Sequence, residues 1–205
     1  RGYHKVFELD SVYFTTDAGF RGPNQRNREE YNGVVYKYHN DEYSKKILDR
    51  RLFLYPDSLY SKENTFETQR QLSNLDIFKF VNINYDTTGG KFVANIYTSP
   101  LKKYTMSNEI GLTVTEQVPG PFYNFTIKDR NIFGGLEILE FSGRAGIEGV
   151  ASASDPEQAF SSQEIGANLS IIFPQFVFPL GAGLKSKLGT YNPKTRFLVG
   201  YNYTK

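Results

Sequence analysis

The chain has 205 residues, with 24 Lys and Arg against 22 Asp and Glu and a formal charge of +2. That balance, with no Lys/Arg run, argues against a nucleic-acid surface, and the absence of Cys excludes disulfide frameworks and Cys-ligated zinc. No apolar run approaches the roughly 20 residues of a membrane-spanning helix. Phe (17) and Tyr (15) supply the whole 16% aromatic content at a mean hydropathy of −0.47. Aromatic and β-branched residues mixed with Thr, Asn and Gly favour strands.

The first half mixes two periodicities. Lys5–Thr15 (KVFELDSVYFT) reads as a strand, and the polar, Gly/Pro-punctuated stretch Gly19–Gly33 as a long loop. Ser44–Phe53 (SKKILDRRLF) sets Ile47, Leu48, Arg51 and Leu52 at helical spacing, with Arg51 lending its aliphatic stem. Pro56 drives Tyr55 out of the α region and ends that helix. Ser61 or Asn64 caps the next one, which carries Thr65, Thr68, Leu72 and Leu75 on one stripe. At Phe78 the period changes to two. Val81, Ile83 and Tyr85 fall on one face, with Phe80, Asn82 and Asn84 on the other. Strand Phe78–Asp86 then turns through Thr87–Gly90 into strand Lys91–Ser99. The expected order is β-α-α-β-β, within a first domain of residues 1–103.

Residues 104–205 lose the helical period. Five segments of about ten residues alternate instead. Met106, Ile110, Leu112 and Val114 oppose Ser107, Glu109, Gly111 and Thr113. Tyr123, Phe125 and Ile127 oppose Asn124, Thr126 and Lys128. Leu139, Phe141, Ala145 and Ile147 oppose Glu140, Ser142, Arg144 and Glu148. Ile165, Ala167, Leu169, Ile171 and Phe173 oppose Glu164, Gly166, Asn168 and Ser170. Phe197, Val199, Tyr201 and Tyr203 oppose Arg196, Gly200, Asn202 and Thr204. A soluble sandwich alternates in the same way. Three features favour a transmembrane β-barrel. The polar faces suit a hydrated lumen, the apolar faces lack the large-to-small matching of a packed core, and the strand length suits the roughly 9–11 tilted residues that cross a bilayer. The lipid-facing residues on this reading are Leu112, Val114, Phe125, Ile127, Leu139, Phe141, Leu169, Ile171, Val199 and Tyr201. Five such strands cannot close. The expectation is therefore a partial barrel, part of about sixteen strands, and a chain that opens on Arg1 reads as a piece of something longer.

Several stretches resemble a known family. Leu52–Ser61 (LFLYPDSLYS), Thr65 and Gln71–Asp86 (QLSNLDIFKFVNINYD), then Asp129–Phe141 (DRNIFGGLEILEF) and Ile171–Pro179 (IIFPQFVFP), are similar to motifs of the BamA/TamA superfamily of outer-membrane assembly factors, the bacterial surface antigen family. They come closest to its TamL/BamA-like branch. The resemblance covers roughly residues 40–205. Asp57 departs from it, standing where Gly is common after the proline. The resemblance implies an α+β POTRA domain, membrane-proximal and periplasmic, followed by the N-terminal antiparallel strands of an outer-membrane barrel. It further implies a strand edge at Phe80, Val81, Asn82, Ile83 and Asn84 that receives client segments by β-augmentation. The first barrel strand would form a lateral seam, through Glu109, Ile110, Gly111, Leu112, Thr113 and Val114. Expected partners are the outer-membrane bilayer, unfolded β-barrel clients and periplasmic or lipoprotein accessory subunits, without nucleic acid.

No catalytic constellation emerges from the residue types. His4 and His39 have no partner at metal or catalytic spacing, and Glu29–Glu30 and Asp41–Glu42 read as solvated faces. Thr87–Lys91 (TTGGK) lacks the spacing and following helix of a phosphate loop. The sequons at Asn124, Asn168 and Asn202 lie mid-strand and read as chance. The expectation is a protein without enzymatic activity, catalytic residues, cofactor or metal. Its function would be the assembly and insertion of β-barrel proteins by strand templating and lateral gating, extending to export of surface lipoproteins. A two-partner secretion-type polypeptide transporter and a soluble two-domain β-rich binding protein are the alternatives.

Overall fold

The computed structural model describes residues 7–19, 25–115, 118–151, 159–177 and 192–205. It divides into two compact units. The first comprises the described residues of Arg1–Leu101 together with Phe133–Leu136 and the described part of Pro174–Lys194. The second comprises those of Lys102–Ile132, Glu137–Phe173 and Thr195–Lys205. A single cut at 103/104 therefore misses two connections of the second half that belong to the first unit. His4, Lys5, Val6, Phe20–Asn24 and Phe178–Pro179, invoked above, lie outside the described residues.

In the first unit β1 (Ser11–Thr15), β2 (Asn27–Tyr31), β3 (Val34–Tyr38), β4 (Phe78–Asp86) and β5 (Val93–Pro100) form one mixed sheet in the order β2-β3-β1-β5-β4. β1 runs parallel to both β3 and β5, while β2–β3 and β4–β5 are antiparallel. The three-stranded sheet expected from the sequence is thus enlarged by a hairpin whose first strand and turn lie inside the stretch read as a loop. Asn32 (φ 49°) and Gly33 (φ 79°) supply the two positive φ values that its two-residue turn requires. β1 also begins later than expected, at Ser11.

The helices are α1 (Lys45–Asp49) and α2 (Lys62–Ser73). α1 is half the expected length because tertiary bonds claim the groups that would extend it. The Asp49 carbonyl accepts the Tyr55 hydroxyl at 3.0 Å, and the Phe53 amide donates to Thr68 Oγ1 at 3.0 Å. Ser61 caps α2, its Oγ accepting the Asn64 amide at 3.2 Å. Thr68, Gln71 and Leu72 turn inward from α2. After the helix, Asp76 adopts φ 56° and turns the chain into β4, leaving Leu75, Ile77 and Phe78 buried. Asp57 has φ 59°, which explains why glycine suits that position and why Asp, which tolerates the left-handed region, replaces it.

Val12, Phe14, Val34, Tyr36, Ala94 and Ile96 line the buried side of the sheet, joined by Leu48, Leu52, Leu54, Leu72 and Leu75. Arg51 lends more than its stem. It is 2% exposed, and its guanidinium donates to Gln71 Oε1 at 2.9 Å, the Pro193 carbonyl at 3.2 Å, Asn192 Oδ1 and the Pro174 carbonyl. Burial, with Arg50 nearby, lowers its pKa to about 10.

The second unit is an antiparallel meander of β6 (Tyr104–Thr115), β7 (Val118–Arg130), β8 (Ile138–Ala151), β9 (Ala159–Phe173) and β10 (Thr195–Thr204). Three of these strands run 13, 14 and 15 residues, longer than the alternation suggested. The sheet is open, with β6 and β10 at its edges.

Candidate functional site

Two features stand out for recognition: the terminal strands of the two sheets and the two unlike faces of the second sheet. β4 ends the first sheet, and the direction of its free backbone groups follows from its neighbour. The amides of Asp10 and Ala18 donate to the carbonyls of Phe92 and Thr98, so the even residues of β5 point toward β1. Val81, Ile83 and Tyr85 lie opposite Thr98, Ile96 and Ala94. Each therefore occupies a non-hydrogen-bonded pair and directs its own N–H and C=O off the sheet. The side chains of these three face α2; Val81 is buried, and Tyr85 OH meets Thr65 Oγ1. Phe80, Asn82 and Asn84 present exposed side chains on the opposite face and bond to β5.

The other end of the same sheet differs chemically. β2 carries Arg28, Glu29 and Glu30, all exposed, with Glu29 bonded to Lys45 at 2.9 Å. Charges along an edge discourage pairing with another chain. β4 carries none from Phe80 to Tyr85.

In the second sheet the Arg130 amide donates to the Lys103 carbonyl, so odd residues of β6 bond to β7. Glu109, Gly111 and Thr113 are spent in that ladder. Ile110, Leu112 and Val114 direct their backbone to the open edge. Their side chains are 85%, 71% and 68% exposed.

The register places all ten residues expected to face lipid on one side. One row runs Met106–Ile127–Phe141–Leu169–Val199, and another contains Asp129–Leu139–Ile171–Phe197. Leu112, Val114, Ile127, Phe141, Leu169, Val199 and Tyr201 are exposed; Phe125, Leu139 and Ile171 are half-buried. Asn108 and Asp129 are polar exceptions on this side.

The opposite side is a polar network. Glu140 pairs with Lys128 at 3.1 Å and Arg196 at 3.5 Å, and Arg196 also donates to Ser170 Oγ at 3.0 Å. Arg144 pairs with Glu164 at 3.1 Å and lies over the Phe122 ring at 5.6 Å. Phe122 sits between Gly111 on β6 and Gly146 on β8, and a Cβ added to Gly111 would come within 2.7 Å of the ring. Asn168 and Asn202 lie over Gly200 and Gly166 in the same fashion, so the alternate glycines make room for their cross-strand neighbours.

His39 has a partner after all, brought from 22 residues away by the parallel pairing of β1 with β3. Its Nδ1 lies 2.5 Å from Asp17 Oδ2, and Arg26 donates to Asp17 Oδ1 at 2.8 Å. Burial pushes the Asp17 carboxyl up, but the bonds from Arg26 and His39 prevail and hold it below the usual carboxylate range. Asp17 and His39 border a cavity of about 320 Å³ with Thr16, Glu42, Tyr43 and Ser99. Burial, with Glu42 and Asp17 nearby, raises the Tyr43 pKa to about 12. No activated nucleophile stands among these groups. Among the described residues there is no cluster of three or more His, Asp or Glu able to hold a metal ion.

No protein-family model matches the chain, and no curated protein does. Among solved structures it is similar to BamA from Haemophilus ducreyi lacking POTRA domains 1–3, at 11% identity and a TM-score of 0.36, over 88% of this chain and 40% of that one. It is also similar to CdiB from Acinetobacter baumannii, at 9% identity and a TM-score of 0.37, over 100% of this chain and 55% of that one. The chain thus spans about half or less of the length of these two structures.

Proposed function

We propose that the chain is a membrane-proximal POTRA domain, enlarged by the β2–β3 hairpin, followed by the first strands of a bacterial outer-membrane barrel. Its task on this reading is the assembly and insertion of β-barrel clients, extending to surface lipoproteins in the TamL-like branch. The work is templating rather than bond chemistry, so the protein acts without catalytic residues, cofactor or metal. The observation that carries this is the second sheet: a largely apolar, exposed face and a charged, hydrogen-bonded opposite face. In water such an apolar face is costly, whereas in lipid it is the required surface. The uncharged free margin of β4 would receive periplasmic client segments, and β6 would form one lip of the seam where they are released. The periplasmic or lipoprotein accessory subunits follow from the resemblance alone.

A second reading is a two-partner secretion-type transporter, favoured by the ion-paired polar face as the wall of a conduit. Disulfide capture separates the two. A Cys at Thr113 in the parent protein, in outer-membrane vesicles, should trap client strands bearing Cys during their assembly, while a Cys at Ser142 on β8 should not. Equal capture at both positions, or capture of one dedicated exported polypeptide only, would overturn the assembly function.

A further inference from the structure

The carboxamide of Gln69 crosses from α2 to the outer margin of β4, where Nε2 donates to the Val81 carbonyl at 3.0 Å. Val81 is the first of the three residues whose backbone groups point off the sheet. The corresponding groups of Ile83 and Tyr85 have no partner among the described residues. The free margin is therefore divided into one position already bonded by this chain's own side chain and two that are open.

An added strand would need to place an N–H at each outward carbonyl. At Val81 that direction is taken, and the amide of Gln69 stands where the backbone of an incoming strand would run. We propose that Gln69 is a register stop: it confines an added strand to the Ile83–Tyr85 half of the edge and makes pairing at Val81 conditional on its own release. This rests on the reading of β4 as a client-binding edge. A single neutral bond of this kind contributes little net stability, because water replaces it on opening. The stop is therefore soft: it disfavours pairing at Val81 by about the worth of one bond and so sets the register without closing the edge.

The same stripe of α2 indicates what such a segment carries. Phe66 lies one turn before Gln69 and is 64% exposed. It offers an apolar surface on the helix side of the open half and a polar one at the stop. The fitting partner is an extended segment with large apolar residues opposite Ile83 and Tyr85, and an Asn, Ser or Thr where it reaches Gln69.

The test is residue-resolved amide exchange on the full chain in detergent micelles. The probe is a synthetic peptide of sequence EIGANLSIIF, the stretch Glu164–Phe173. In the unmodified protein the peptide should protect the amides of Ile83 and Tyr85 and leave Val81 unchanged. In Gln69→Ala the protection should extend to Val81, with binding about fivefold tighter for one additional bond. Gln69→Glu, which has no N–H to donate at neutral pH, should behave like Gln69→Ala. Gln69 is exposed, so neither substitution opens the core. Identical footprints in all three proteins, or protection of Val81 in the unmodified one, would overturn the register stop and leave the β4 edge standing. Absence of any protection on β4 in all three would overturn both.

Discussion

Leu169 and Asn168 are neighbours on β9 that point to opposite sides of the second sheet, which makes them a matched pair for testing what each side meets. Leu169 lies in the row Met106–Ile127–Phe141–Leu169–Val199, with further apolar rows on both sides of it, so the band of apolar residues extends past it in each direction. If that band spans the hydrocarbon layer, Leu169→Arg places a cation near its middle, at a cost of about 2–4 kcal/mol. A change of about 3 kcal/mol is roughly a hundredfold in the folding equilibrium. Asn168→Arg adds the same charge on the side holding Glu140, Glu164 and Arg196. It loses only the seat of Asn168 over Gly200, and should cost well under half as much. Urea titrations of the full chain in lipid vesicles measure both, with Leu169→Ala as the control for lost apolar area. Equal losses for the two Arg variants, or a larger loss for Asn168→Arg, would refute the membrane assignment of the apolar face. A soluble sandwich burying Leu169 would lose about 2–5 kcal/mol with Leu169→Ala, where a lipid-facing Leu169 would lose far less.

Arg51→Met removes a buried donor to Gln71, Asn192 and the carbonyls of Pro174 and Pro193, and should destabilise the first unit by about 2–4 kcal/mol. An unchanged unfolding midpoint would mean that the cost of burying the cation cancels its bonds. Asp17 has a folded pKa below its unfolded value, so its contribution is present above about pH 4 and is lost as the pH falls through the folded value. Asp17→Asn should accordingly lower stability at pH 6 and flatten its dependence below about pH 4. Parallel curves for the two proteins, measured as urea midpoints, would count against that linkage.

The sequence displayed what periodicity can display. Alternation in β6 to β10 assigns the sides of the sheet because one face is apolar throughout, and the switch of period at Phe78 marks the joint between α2 and β4. The hairpin of β2 and β3 escaped because charge obscured it: Asn27–Tyr31 alternates nothing apolar, being an exposed edge. The signal that finds it is Asn32-Gly33 before the alternating Val34–Tyr38, a two-residue turn that needs no hydrophobic pattern. The Asp17–His39–Arg26 group and the hydrogen bonds of the Arg51 guanidinium were illegible for another reason. Their partners lie far away in sequence, up to 142 residues for Arg51 and Pro193, and no local rule brings them together. Gln69 reaches across only 12 residues, yet an exposed Gln on a helix carries no sign that its amide rests on a strand.

The two free edges share a parity that bears on how one client strand could use both. On β4 the outward backbone groups belong to Val81, Ile83 and Tyr85, whose side chains face α2. On β6 they belong to Ile110, Leu112 and Val114, whose side chains lie on the apolar face. Residues in an antiparallel hydrogen-bonded pair carry their side chains on the same face. A client that bonds through the amides of its apolar residues therefore sets those residues beside apolar neighbours at either edge. Slipping by one residue would turn every apolar side chain toward the polar side, at β4 and at β6 alike. The proposed function thus asks the same phase of an alternating client strand at either edge.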